Sequence, residues 1–164
     1  QNLYTEKVTP LQMHKANIIL GEPNATALQA VLNRHKLSIA EDKGARKPGT
    51  IGSYSSAYKI IKAKGKTAYE SIISTCCKAG YNLSGDGLCD KIIMSLYKIY
   101  SFYGDIGLAK VLPIMRETPP STLKAEGIAA YPKRVGLSLA LYMQDYLVSL
   151  GEPKQFNERG KKIS

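Results

Sequence analysis

The stretch from Leu88 to Tyr103, LCDKIIMSLYKIYSFY, decides the fold class. Ile92, Ile93, Leu96, Ile99, Tyr100 and Tyr103 recur at the three- and four-residue steps of an α-helix and cover a broad apolar arc. A helix with so wide an apolar face belongs in a core. Tyr97, Tyr100 and Tyr103 could be taken for a base-stacking ladder, but packing is the preferred reading, since tyrosine tolerates burial when its hydroxyl finds a partner.

The same period continues on both sides. Upstream, Thr9-Pro10 caps and opens a helix bearing Leu11, Lys15, Ile18 and Ile19, and Gly21 stops it. His14 on this helix is expected to be partly exposed. Pro23-Asn24 starts a second helix with Ala27, Leu28, Val31 and Leu32, ending near His35; residues 37–40 then read as a short extended segment. Tyr54, Ala57, Tyr58 and Ile61 mark a third helix broken by Gly65, and Ala68, Tyr69, Ile72, Ile73 and Cys76 a fourth closing near Gly80. These two resemble the outline of a helix-turn-helix, an outline shared by many helical hairpins that bind no DNA.

Downstream, Gly104-Asp105 turns the chain into a helix carrying Leu108, Val111, Leu112 and Met115, where Pro113 predicts a kink or a boundary. Ser121 is expected to cap a short helix through Ala129, Pro132 interrupts, and Val135, Leu139, Tyr142, Met143 and Tyr146 carry a last long helix to Leu150. The sum is an all-α protein, a compact bundle of seven or eight helices. Residues 1–150 read as one helical domain, divisible into a helical pair (1–40) and a main bundle (50–150), and residues 151–164 as a basic, flexible tail.

With 23 Lys and Arg against 13 Asp and Glu the chain carries a formal charge of +10, which makes nucleic acid the first candidate partner. No window approaches the roughly 18 apolar residues of a membrane span, and the start lacks a secretory signal's regions, so the cytoplasm is the expected location. Of the three cysteines, Cys76 and Cys77 are adjacent and point about 100° apart on a helix. With Cys89, His14 and His35 they offer no metal-ligand spacing, so buried small hydrophobes are the preferred reading, with no metal and no cofactor. The NLSGDG loop (82–87) lacks the alternating carboxylates of a calcium loop.

Phosphate-loop, dinucleotide, nucleophile-elbow and zinc-protease motifs are all missing, and the carboxylates are scattered. The segment therefore reads as non-catalytic. A hydrolase or nuclease would instead show a pocket joining His14 or His35 to a carboxylate.

Charge gathers in EDKGARKPGTIGSYSSAYKIIK (41–62), and between Arg34 and Lys66 nine Lys or Arg face two Asp or Glu. The candidate nucleic-acid-binding residues are Lys43, Arg46, Lys47, Gly49, Thr50, Ser53, Lys59 and Lys62. Lys43, Arg46 and Lys47 supply charge, the backbone around Gly49 and Thr50 offers N–H groups at a helix N-terminus that Thr50 or Ser53 caps, and Lys59 and Lys62 extend the patch. The rival reading is an interaction or homo-oligomerisation domain, whose partner surface would come from the apolar arcs of Leu88 to Tyr103 and Val135 to Leu150.

Three stretches carry a family likeness. Gln1-Asn2, Val8-Thr9-Pro10-Leu11 and Lys15-Ala16 resemble the segment that follows the ParB/sulfiredoxin-like domain in ParB-like proteins of phages and mobile elements. Gly21-Glu22-Pro23 with Arg46-Lys47-Pro48-Gly49-Thr50-Ile51 is similar to that family's "GDP" turn and "RKPGTI" step into a helix, and Leu96 to Gly104-Asp105 to its helix ending in "YGD". The resemblance implies a helical region downstream of a ParB-like domain in a DNA-associated parent, with that domain as a further partner. The family's upstream "DGQHR" motif does not occur in these 164 residues, so no catalytic or nucleotide-binding residue is carried over.

Overall fold

The computed structural model of the chain describes residues 8–41, 47–52 and 54–163. Among them are seven α-helices, α1 (Pro10–Ile19), α2 (Pro23–His35), α3 (Tyr54–Lys64), α4 (Lys66–Lys78), α5 (Asp90–Glu117), α6 (Pro120–Ala130) and α7 (Ser138–Ser149). Two short strands, β1 (Ser38–Ile39) and β2 (Thr50–Ile51), pair in parallel between α2 and α3. The all-α reading holds, and the extended segment expected near residues 37–40 is β1.

Local chemistry explains the first helices. Thr9 and Gln12 form a reciprocal capping box at the start of α1. The Glu22 carboxylate accepts from the Ala25 N–H at 2.8 Å to cap α2. That helix ends on Lys36 at φ 57°, where the Leu37 N–H returns to the Leu32 carbonyl in a Schellman-type closure.

Packing fixes the rest. The buried apolar side chains run without a break from Leu28 to Phe156, with α5 at the centre between α4 and α7. Ile92, Ile93, Leu96 and Ile99 are all buried, each contributing roughly 1.5–3 kcal/mol of apolar transfer. Gly104, at φ 66°, breaks α5 at the expected turn. Pro113 marks neither a boundary nor a departure from helical backbone, since α5 continues to Glu117 around an exposed proline ring. Gly127 on α6 lets the α7 backbone approach so closely that a Cβ there would stand 3.1 Å from the Leu139 Cα.

Several expectations are corrected. Ser121 lies inside α6 and makes no cap, because Pro119 and Pro120 already set the start of that helix. Val135 lies outside α7 and is exposed. His14 is 1 % exposed: Gln29 Oε1 lies 2.9 Å from its Nε2 and the Tyr58 hydroxyl 3.0 Å from its Nδ1, with Asn17 donating to the same hydroxyl at 3.2 Å. A short helix whose one fully buried side chain is His14 docks through this polar network, which a hydropathy pattern cannot reveal. Tyr69 is fully buried with no hydrogen-bond partner for its hydroxyl among the described residues, unlike Tyr103.

The largest correction concerns the tail, expected to be flexible. Phe156 is 0 % exposed, its ring 5.0 Å from that of Phe102. Gln144, fully buried on α7, accepts at Oε1 from the Gln155 and Phe156 N–H groups, both at 3.0 Å, and donates from Nε2 to the Phe156 carbonyl at 2.8 Å. The Tyr103 hydroxyl lies 2.9 Å from the same Oε1 and 2.7 Å from the Pro153 carbonyl. Beyond it, Asn157 Oδ1 accepts from the Arg159 and Lys161 N–H groups, closing a small hairpin with Phe156 bridged to Lys162. Phe156→Ala is expected to lower unfolding free energy by about 3–5 kcal/mol. Denaturant titration checks this, and a loss of the size seen at surface sites would mean that the tail is not part of the core.

Candidate nucleic-acid interface

Because α3 buries Ala57, Ile60 and Ile61, Lys59 and Lys62 are left on its exposed side. The Ser56 hydroxyl donates to the Asp90 carboxylate at 2.8 Å and ties α3 to the start of α5. On α5, Lys91, Met94, Ser95, Lys98, Ser101 and Phe102 follow one another at helical steps along a single stripe. That stripe, Lys59, and the Gly136, Leu137 and Ala140 wall enclose a groove of about 430 Å³. Three lysines reach it, and no carboxylate is among its described lining residues.

The tail braces two of the groove's lining residues. Lys98 Nζ donates to the Gly160 carbonyl at 3.0 Å and stands 5.7 Å from the Phe102 ring centroid, while Leu137 also packs against Gly160. One N–H of Lys98 is thereby used, and two remain for an anion. Exposed Arg159 and Lys161 flank Gly160 in the chain. On the other side, the Tyr131 hydroxyl donates to the Asp145 carboxylate at 2.6 Å, and turns Arg134 N–H to Tyr131 carbonyl and Leu137 N–H to Arg134 carbonyl shape the 131–137 loop that carries Gly136.

The residues expected to bind nucleic acid divide into three sets. Lys59 lines the groove. Lys47, Gly49, Thr50 and Lys62 are described but do not line it. Lys43, Arg46 and Ser53 lie outside the described residues. Thr50 is not the cap of α3: it sits in β2 opposite Ser38, and its hydroxyl donates back to the Lys47 carbonyl at 2.7 Å. Gly49, at φ 82°, makes the turn before β2, so its backbone serves the strand pair and not a helix N-terminus. Lys91 and Lys98 were not anticipated. Their seven-residue spacing opposite the apolar arc of the strongest helix was the available signal.

Comparison with family models, with curated proteins and with solved structures returns no match to this chain.

Other features narrow the chemistry. Gly65 alone joins α3 to α4, against the three- or four-residue turn of a helix-turn-helix, and Glu70 on the outer side of α4 is held by Arg34 and His35. His35 and Glu70 are hydrogen-bonded in a cleft of about 530 Å³, the pairing expected of a hydrolase pocket. Arg34 Nη1 lies 3.6 Å from the same carboxylate, so Glu70 ties α4 to two side chains of the last α2 turn, and the Arg34 cation suits the negative end of the helix dipole. Among the described residues no three His, Cys, Asp or Glu side chains are grouped to hold a metal ion, and no helix is long and apolar enough to cross a membrane. Burial pushes the Cys76 thiol far up, away from reactive thiolate chemistry.

Burial and the hydrogen bond to Asp145 raise the Tyr131 phenol from its ordinary 10.0 to about 12. The neutral phenol is thus favoured on folding, and its contribution is present below about pH 10 and lost as pH rises through about 12. The difference in ultraviolet phenolate titration between the parent protein and Tyr131→Phe should show one group with a midpoint near 12; a midpoint near 10 would mean that the loop is not tethered to α7.

Proposed function

We propose that this chain is a non-catalytic helical module that binds nucleic acid, DNA in the first instance, through phosphate contacts centred on Lys59, Lys91 and Lys98. The observation that carries this reading is the convergence of three lysines from α3 and α5 on one groove whose described lining residues include no carboxylate. Lysine ammonium groups act as point charges toward phosphate, and a net charge of +10 adds long-range attraction. Lys62 on α3 and Lys47 near β2 extend the positive surface. The likeness of residues 1–118 to the region after a ParB-like domain supports the same reading. It adds a DNA-associated parent from a phage or mobile element, an upstream ParB-like domain as partner, and a cytoplasmic location.

Lys59→Glu combined with Lys91→Glu should weaken binding to a fluorescein-labelled duplex and reduce the salt slope of log affinity by about 2, as two lost phosphate contacts require. A parallel Arg46→Glu, Lys47→Glu protein measures the share of the 41–62 loop. Unchanged affinity and slope in the first variant would remove the groove from the interface.

A second reading is self-association. Most of each arc first considered for it is buried in the core, with Val135, Val148 and Leu150 left exposed, and α1, α2 and β1 border an apolar groove of about 460 Å³, with Ile19 85 % and Leu20 80 % exposed at one end of α1. A second copy of this chain seated there would form a dimer in light scattering that Ile19→Asp with Leu20→Asp dissolves; a monomer at high concentration would end this reading.

A further inference from the structure

The lysine groove has walls that a phosphate alone does not need. Met94, Phe102, Leu137 and Ala140 are apolar, and Tyr97 adds a half-buried ring beside Lys98. Contacts to duplex phosphates require cations on an open face, and the faces of the bases, stacked inside the helix, are not offered to an apolar recess. A recess of about 430 Å³ between α3, α5 and the 131–137 loop is far too small for a duplex, yet it falls in the volume range of a small-molecule site. An unpaired nucleotide presents both groups the recess can satisfy: a planar apolar base and an anionic phosphate. Aromatic side chains in a positively charged groove are the general means of holding single strands without sequence preference.

Resting on the nucleic-acid reading above, we propose that the groove takes one unpaired nucleotide, so that the preferred ligand is single-stranded nucleic acid. The base enters between Tyr97 and the Leu137 side, and the flanking phosphates meet Lys59, Lys91 and the free donors of Lys98. Phe102 is backed by Phe156 and crossed by the Lys98 side chain, so it shapes the floor and leaves Tyr97 as the stacking ring.

Gly136 provides a test that leaves charge untouched. It lines the groove, its φ is not positive, and a Cβ added there meets nothing within 4 Å, so a larger side chain can be introduced without backbone strain. Fluorescence anisotropy would compare a labelled oligothymidylate of roughly twelve nucleotides with a duplex of equal length. The single strand should bind at least tenfold more tightly than the duplex. Gly136→Phe should remove most of that advantage, and Tyr97→Ala should weaken the single strand by roughly tenfold, as loss of one stacked base predicts. Circular dichroism melting of both variants confirms that they fold.

Equal or tighter duplex binding would overturn the proposal, as would an unchanged single-strand affinity in folded Gly136→Phe and Tyr97→Ala proteins. The phosphate reading would survive either result, provided that Lys59→Glu with Lys91→Glu still weakens both ligands. Failure of the parent protein to bind either oligonucleotide would instead overturn both.

Discussion

The side-chain amide of Gln144 is the constraint on which the outer half of the structure depends. It is fully buried, and each of its polar atoms is used on the backbone of the tail or on Tyr103. A buried amide with unmet donors would cost about 1–3 kcal/mol, so the tail and the bundle are mutually required. With the amide satisfied, Phe156 closes the core beneath Phe102, and the Asn157–Gly160 turn brings a carbonyl to Lys98. A glutamine on the last helix thereby sets the position of a lysine on the central one.

This coupling gives the cationic groove a physical basis. A lysine side chain on an open helix samples many rotamers, and ordering it on a ligand costs up to about 2 kcal/mol of entropy. Lys98 is already held by Gly160, so part of that cost is met in folding. Lys59 and Lys91 are held less directly, by the Ser56 to Asp90 bond that ties α3 to the start of α5. The tether from Tyr131 to Asp145 does the same for the opposite wall, since the loop it anchors carries Gly136 and Leu137.

Much of the bundle was legible because its helices obey a strong local rule. The arc from Ile92 to Tyr103, the turn at Gly104 and the hairpin at Gly65 follow from apolar period and glycine placement, and the structure has them where the pattern puts them. The misreadings of His14 and of the tail share one cause, which is reliance on polarity as a sign of exposure. His14 is buried by Gln29 and Tyr58, which lie 15 and 44 residues away in the chain. The tail looked disordered because QFNERGKKI contains a single large aromatic residue, yet that residue found a vacancy beside Phe102 and an amide to pair its backbone. An asparagine three residues before a glycine was the local signal of its turn.

Sequence by itself determined the class of the protein and the sign of its charge: an all-α bundle of seven or eight helices, a continuous apolar arc at the centre, and a strong excess of lysine and arginine. Those properties depend on residue type and on spacing within a few turns. Tertiary structure alone decided which cations meet. Lys59, Lys91 and Lys98 lie as many as 39 residues apart, and they share a groove only because α3 packs on α5 and the tail folds back on Lys98. The Lys47 to Thr50 turn, so prominent in the charge pattern, became a strand connection, because the Ser38 and Ala40 amides claim its carbonyls at Gly49 and Ile51. Charge can be counted along a chain; its convergence is set by the contacts that bury everything else.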